Sequence, residues 1–163
     1  MSLIQRPSGG RAPAVRKIML LGEPEVGKTS LANRLSFGTF TGDYKRTIGV
    51  ELYTADVDFD GTSHRLVLWD TDGRIQDDLV ASTYCKGANG ACVVCDVTRP
   101  ETVESAREIV EIFEDLYPGR PTRLLANKVD LRPDAIVDGA LMVSAQNGVG
   151  AIEALRGIAR DCW

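Results

Sequence analysis

Residues 22–30, Gly22-Glu23-Pro24-Glu25-Val26-Gly27-Lys28-Thr29-Ser30, follow an apolar run and open a helical pattern. They satisfy G-x-x-x-x-G-K-[ST], a spacing that turns successive backbone N–H groups inward as an anion cradle at a helix N-terminus. Lys28 would reach the β- and γ-phosphates of a nucleotide, and the Thr29 hydroxyl would ligate Mg²⁺. Pro24 donates no N–H and narrows the mouth of the loop. Glu23 and Glu25 put two negative charges near a site suited to phosphates.

Two further stretches bear chemistry. In VLWDTDGR, 67–74, an apolar strand runs into Asp70, then Gly73, then Arg74. An aspartate there suits a metal and a glycine N–H a phosphate. Arg74 has only donors, so it cannot accept a hydrogen bond or a proton from an attacking water. In LLANKVDLR, 124–132, a strand ends in Asn127, Lys128 and Asp130. A carboxylate there can accept from both the N1–H and the 2-amino group of guanine. Adenine lacks that donor pair, so ATP would leave buried groups unpaired and be rejected.

The elements that must position these residues are legible in the hydrophobic pattern. Short β-rich runs lie at 15–21, 50–59, 64–69, 90–95, 122–126 and 140–143. The second and third are joined by DGTS, with Asp60-Gly61 as the hairpin signal. Helical patterns occupy Lys28–Ser36, Thr102–Leu116 and Val149–Ala159. The apolar faces are Val103, Ala106, Ile109, Val110, Phe113 and Leu116 in the second helix, and Ile152, Leu155 and Ile158/Ala159 in the third. This alternation predicts an α/β fold: a three-layer P-loop architecture whose mostly parallel six-stranded sheet has one antiparallel edge strand and helices on both faces.

The chain has 163 residues, 44% hydrophobic and 26% charged, which suits one domain over 15–163 behind a disordered leader at 1–14. A formal charge of −4 gives no general attraction to nucleic acid or anionic lipid. No apolar run approaches the roughly 20 residues that span a bilayer. Four cysteines, Cys85, Cys92, Cys95 and Cys162, include a formal C-x-x-C at 92–95. It sits inside an apolar strand, which sends positions i and i+3 to opposite faces. Buried structural thiols in a reducing compartment are the expectation.

With these residues in place, the chain resembles the Ras superfamily of small GTPases, and most closely its Rab branch, from about Arg16 to Ile158. Besides the loop and N-K-x-D, the resemblance rests on TIGVEL (47–52), WDTDG (69–73), YCKGA (84–88), DVT (96–98) and VSAQNG (143–148). It implies GTP/GDP with Mg²⁺ as cofactors. Thr47 would complete the Mg²⁺ shell with Thr29 and sense the γ-phosphate, and Asp70 would hold the metal through water. The Gly73 N–H would touch the γ-phosphate. Ser144 and Ala145, followed by Gln146, match the loop that contacts guanine. Phe40 matches the aromatic packed on the base, and Tyr44 the one over the phosphates. Segments 40–52 and 69–84 would meet protein effectors and regulators, with Leu52, Trp69 and Tyr84 as the apolar cluster; Trp69 suits the core equally well. A vesicle-trafficking or signalling switch in the cytoplasm, peripheral to membranes only through partners, is the implied role.

The chain departs from that family in three places. Arg74 stands where a glutamine normally orients the water, and IQDDLV follows it. Arg74 could swing outward and leave hydrolysis slow, reach the γ-phosphate in cis with Lys28 and Thr47, or yield to a partner or Gln76. Only thirteen residues separate Asp130 from Ser144, too few for the usual helix, so apolar surface should be exposed there for a partner or second copy. The ending RDCW matches no lipid-anchor pattern. A molecular switch with slow or atypical hydrolysis is the first reading. A GTP-binding scaffold or assembly subunit is the second, and Asp130 disfavours an ATP-using P-loop enzyme.

Overall fold

The computed structural model describes residues 14–40, 47, 49–71 and 84–163. Six strands form one sheet: β1 (Val15–Leu21), β2 (Val50–Phe59), β3 (Thr62–Thr71), β4 (Gly90–Asp96), β5 (Thr122–Asn127) and β6 (Ala140–Met142). Among the described residues three helices accompany them: α1 (Lys28–Phe37), α2 (Pro100–Leu116) and α3 (Ala151–Cys162). The spatial order is β2-β3-β1-β4-β5-β6. Among the described strands only the β2–β3 pair is antiparallel.

Strand composition explains the order. Every residue of β4 is buried, as befits a central parallel strand covered on both faces. On β1, Ile18 and Leu20 join Leu31 of α1 and Leu155 and Ile158 of α3 in one core. Met19 and Leu21 point the other way, into a second core with Ile109 and Phe113 of α2. The edge strand β2 instead alternates, burying Ala55, Val57 and Phe59 between exposed neighbours. The hairpin is tighter than DGTS suggests. Phe59 pairs with Thr62, and Asp60 (φ 52°) and Gly61 (φ 72°) alone make the turn.

The helices differ from the predicted spans mainly at their ends and at one side chain. Pro100 opens α2 at a position where its missing N–H costs nothing. Ile152, assigned to the apolar face of α3, is exposed, and Ala151 and Ala154 take its place against the sheet. Leu116 of α2 is likewise exposed, beyond the last turn that the sheet covers. Residues 128–139 contain no helix. Val129, Ala135 and Val137 pack on the α2 side of the sheet, while Leu131 and Ile136 remain 60% and 85% exposed.

The two kinds of apolar residue should respond differently to truncation. Phe113→Ala should cost about 3–5 kcal/mol by leaving a cavity in the second core, whereas Ile136→Ser should stay within about 0.5 kcal/mol. Urea denaturation of the two variants beside the parent chain measures both.

Candidate functional site

The loop of residues 22–27 leaves β1 at its C-terminal end and enters α1, where ligand crevices form in parallel α/β sheets. Two glycines are required by geometry. Gly22 has φ +140°, and a Cβ there would lie 2.3 Å from the Val94 carbonyl oxygen; Gly27 has φ +101°, and its Cβ would lie 2.2 Å from Asn127 Nδ2. Glu25 holds φ +65° without being glycine, a conformation that costs roughly 1–2 kcal/mol. Its side chain is exposed and that of Glu23 partly so, consistent with solvated charges. Lys28 is buried and donates from Nζ to the carbonyls of Gly22 (2.9 Å) and Glu23 (2.7 Å), so its ammonium lies across the loop. Val26 is fully buried beneath the loop, and Ser30 follows within α1.

Beside the loop three side-chain oxygens converge. Thr29 Oγ1 donates to Asp70 Oδ2 at 2.5 Å and lies 2.7 Å from Thr47 Oγ1, which lies 3.3 Å from the same carboxylate oxygen. Asp70 is fully buried at the end of β3. Burial raises its carboxyl above the ordinary range, opposed by the Thr29 hydrogen bond, the Lys28 charge and Thr47. Among the described residues its Oδ1 has no hydrogen-bond partner. An all-oxygen set with one carboxylate and an unsatisfied buried oxygen fits a hard divalent cation of the Mg²⁺ kind. No group of three or more His, Cys, Asp or Glu offers a rival metal centre among the described residues.

The far side of the crevice is built by the ends of β5 and β6. Asn127 is buried with both ends of its amide engaged: Nδ2 donates to the Val26 carbonyl (2.9 Å), and Oδ1 accepts from the Ala145 N–H (3.1 Å). It therefore joins the 22–27 loop to the 144–146 loop. Lys128, at φ +71°, donates to the Glu25 carbonyl (2.8 Å) and to Asp96 Oδ2 (2.6 Å). Ser144 Oγ donates to Asp130 Oδ1 at 2.7 Å and fixes that carboxylate. Ala145 is buried and Gln146 exposed.

Three residues absent from the sequence-derived site hold it together. Arg34 of α1 donates from Nε to the Ala145 carbonyl (2.8 Å), from Nη1 to Gly38, and to the Gln146 carbonyl. Asp96, at the end of β4, is 1% exposed and accepts from Lys128, Arg99 and Thr98. Burial alone would raise its carboxyl, but the Lys128 and Thr98 hydrogen bonds outweigh that and hold it below the ordinary range. The DVT motif contains Asp96; nothing local marks Arg34 or Arg99.

Tyr44, Gly73, Arg74 and Gln76 lie outside the described residues. Phe40 is exposed, past the left-handed Gly38 that ends α1. Leu52 pairs across the sheet with Trp69, and Leu52 and Tyr84 are exposed. Trp69 is partly buried against the second core, with Lys17 Nζ 3.7 Å from its ring centroid. Of the two settings that its sequence allowed, the packing on the core is the one seen here.

A model of the Ras family matches residues 17–154. The chain is 38% identical over 117 residues to Ras-related protein Rab11E of Lotus japonicus, covering 71% of this chain and 54% of that protein. The figures are the same for Ras-related protein RIC2 of Oryza sativa subsp. japonica. It is 30% identical over 159 residues to Ras-related protein Rab-8B of Dictyostelium discoideum, covering 89% of this chain and 78% of that one. The chain thus spans about half the length of the first two relatives.

The cysteines do not form a competing site. Cys92 faces the α1/α3 core and Cys95 the α2 core, as strand periodicity requires. Burial lifts Cys92 to about 12 and Cys85, Cys95 and Cys162 to about 11, from an ordinary 9.0. At pH 8 iodoacetamide should therefore label the native chain far more slowly than the urea-unfolded one. Because the folded thiols keep protons that the unfolded ones release, stability should fall as pH rises from about 9 to 11, a trend that unfolding midpoints across that range will register.

Proposed function

The chain belongs to the Ras family, and from that premise we propose that it is a guanine-nucleotide switch, binding GTP and GDP with Mg²⁺ and hydrolysing GTP slowly or atypically. The observation that carries this reading is the bridge made by Asn127. One amide ties a loop shaped for phosphates to a loop in which Ser144 presents the Asp130 carboxylate. A ligand with phosphates at one end and paired N–H donors at the other matches both, and guanine nucleotides have that form. ATP lacks the donor pair.

Within this reading Gly22, Glu23, Pro24, Glu25, Val26, Gly27, Lys28, Thr29 and Ser30 take the phosphates, and Lys28 meets their charge. Asp130 reads the guanine edge. Ser144, Ala145 and Gln146 flank the base, Lys128 and Phe40 border it, and Tyr44 covers the phosphates. Thr29, Thr47 and Asp70 are the side chains that would hold Mg²⁺, whose chemistry when bound is to screen the β- and γ-phosphates. Thr47 and the Gly73 N–H would be drawn in by a γ-phosphate and released without it, ordering or loosening segments 40–52 and 69–84. Effectors and regulators would read those segments over Leu52, Trp69 and Tyr84. The trafficking role implied by the Rab resemblance is part of the same proposal.

Arg74 is the reason hydrolysis is proposed to be slow. With donors alone it cannot orient a water for in-line attack, and loss of one preorganised transition-state contact costs about 10²–10³ in rate. Nucleotide released on denaturing the purified protein should be guanine, with GTP prominent. Asp130→Ala should weaken GDP binding at least 10²-fold and erode the preference over ATP; adenine nucleotide held equally well by the parent chain would refute the assignment. In single-turnover assays Arg74→Gln should raise the hydrolysis rate about tenfold or more while Arg74→Ala leaves it near the parent value. A large drop in Arg74→Ala would instead make Arg74 a transition-state contact.

A further inference from the structure

Three consecutive peptide groups of the phosphate loop are held from outside it. The Pro24 carbonyl accepts from Arg99 Nη2 at 2.8 Å, the Glu25 carbonyl from Lys128 Nζ at 2.8 Å, and the Val26 carbonyl from Asn127 Nδ2 at 2.9 Å. A trans peptide is planar, so a carbonyl drawn to one side turns the next residue's N–H to the other. The N–H groups of Glu25, Val26 and Gly27 accordingly point away from those three donors. None of them donates to a backbone acceptor among the described residues.

Asn127 and Lys128 belong to N-K-x-D, whereas Arg99 belongs to no motif and has so far been placed only against Asp96. It is itself held in place. Its Nε pairs with Asp96 Oδ2 at 3.2 Å, the oxygen that also takes Lys128 Nζ, while Asp96 Oδ1 is occupied by the N–H and hydroxyl of Thr98. One buried carboxylate thereby sets two cations side by side, each on one of two adjacent loop carbonyls. The loop needs such help at this point. Pro24 has no N–H of its own to secure the turn, and Glu25 sits at φ +65°, a conformation that persists only where its surroundings impose it.

We propose that Arg99 is a positioning residue for nucleotide binding: by holding the Pro24 carbonyl it aims the Glu25 N–H at the phosphate chain and sets the affinity for phosphorylated guanine ligands. The inference rests on the guanine-nucleotide reading and adds a residue to it. Arg99 acts through the Pro24 peptide and not by touching the ligand. Its backbone bonds to Asp96 and Thr102 at the start of α2 do not involve the side chain, so truncation leaves them in place.

The test is displacement of a fluorescent GDP analogue by GDP and by guanosine, which engages the base side alone. Arg99→Ala should weaken GDP about tenfold, the scale of one charge-assisted hydrogen bond. It should leave guanosine within about twofold, and Arg99→Lys, which keeps a cation for one of the two acceptors, should fall between. Thermal unfolding of each variant supplies the folded fraction by which affinities are corrected. Equal losses for GDP and guanosine would mean general loosening and overturn the proposal, as would an unchanged GDP affinity in Arg99→Ala. A parent chain that takes up neither ligand would overturn the guanine-nucleotide reading together with this inference. A parent that binds GDP with an Arg99→Ala variant equal to it overturns the inference alone.

Discussion

The carboxamide of Asn127 is the contact on which the site's geometry depends. It is 1% exposed, so each end must find a partner inside the protein or carry a desolvation cost of about 1–3 kcal/mol. Its partners are the Val26 carbonyl and the Ala145 N–H, groups 119 residues apart in sequence by subtraction of their numbers. Satisfying one buried amide therefore fixes the distance between the 22–27 loop and the loop that follows β6. The absence of a side chain at Gly27 is part of the same arrangement, since a Cβ there would occupy the place of Asn127 Nδ2.

Charge is handled on the same principle. Asp96 is buried to the same degree as Asn127, and a lone carboxylate there would be far more costly than an amide. Two cations and two Thr98 donors surround it, and both cations go on to grip loop carbonyls. Asp70 is the contrast. It is equally buried, but it has hydroxyl donors on one oxygen and no partner among the described residues on the other. A compensated carboxylate behaves as a strut, and an under-compensated one is suited to a cation.

The fold was legible in the sequence because its signals are local. Six apolar runs with turn residues between them became six strands, with no boundary moved by more than two residues. Period-2 alternation sent Cys92 and Cys95 to opposite faces and so disposed of the C-x-x-C. Where the reading failed, the deciding feature was tertiary packing that spacing alone does not record. Ile152 has the right spacing for the α3 face, but small residues, Ala151 and Ala154, allow that helix to approach the sheet and turn Ile152 outward. Arg34 and Arg99 reach carbonyls 111 and 75 residues away, and no periodicity or motif records such a partnership.

The short connection between β5 and β6 shows how little of the surrounding architecture this geometry needs. With no helix in residues 128–139, the three-residue β6 is still registered on β5 through Leu124, Leu125 and Ala126. The Val143 N–H continues the ladder to the Ala126 carbonyl at 2.8 Å, and the Val129 N–H reaches the Val143 carbonyl at 3.3 Å. These bonds bring Asp130 beside Ser144 whatever lies between them. Ala135 and Val137 then need only cover the underlying core, which a turn can do, and Ile136, having no face to bury against, is left in solvent. A helix at this point would add covered surface to the flank of the sheet, but the hydrogen bonds at the strand ends are what locate Asp130 and Ser144. That is why a connection without a helix is compatible with an intact Ser144–Asp130 contact.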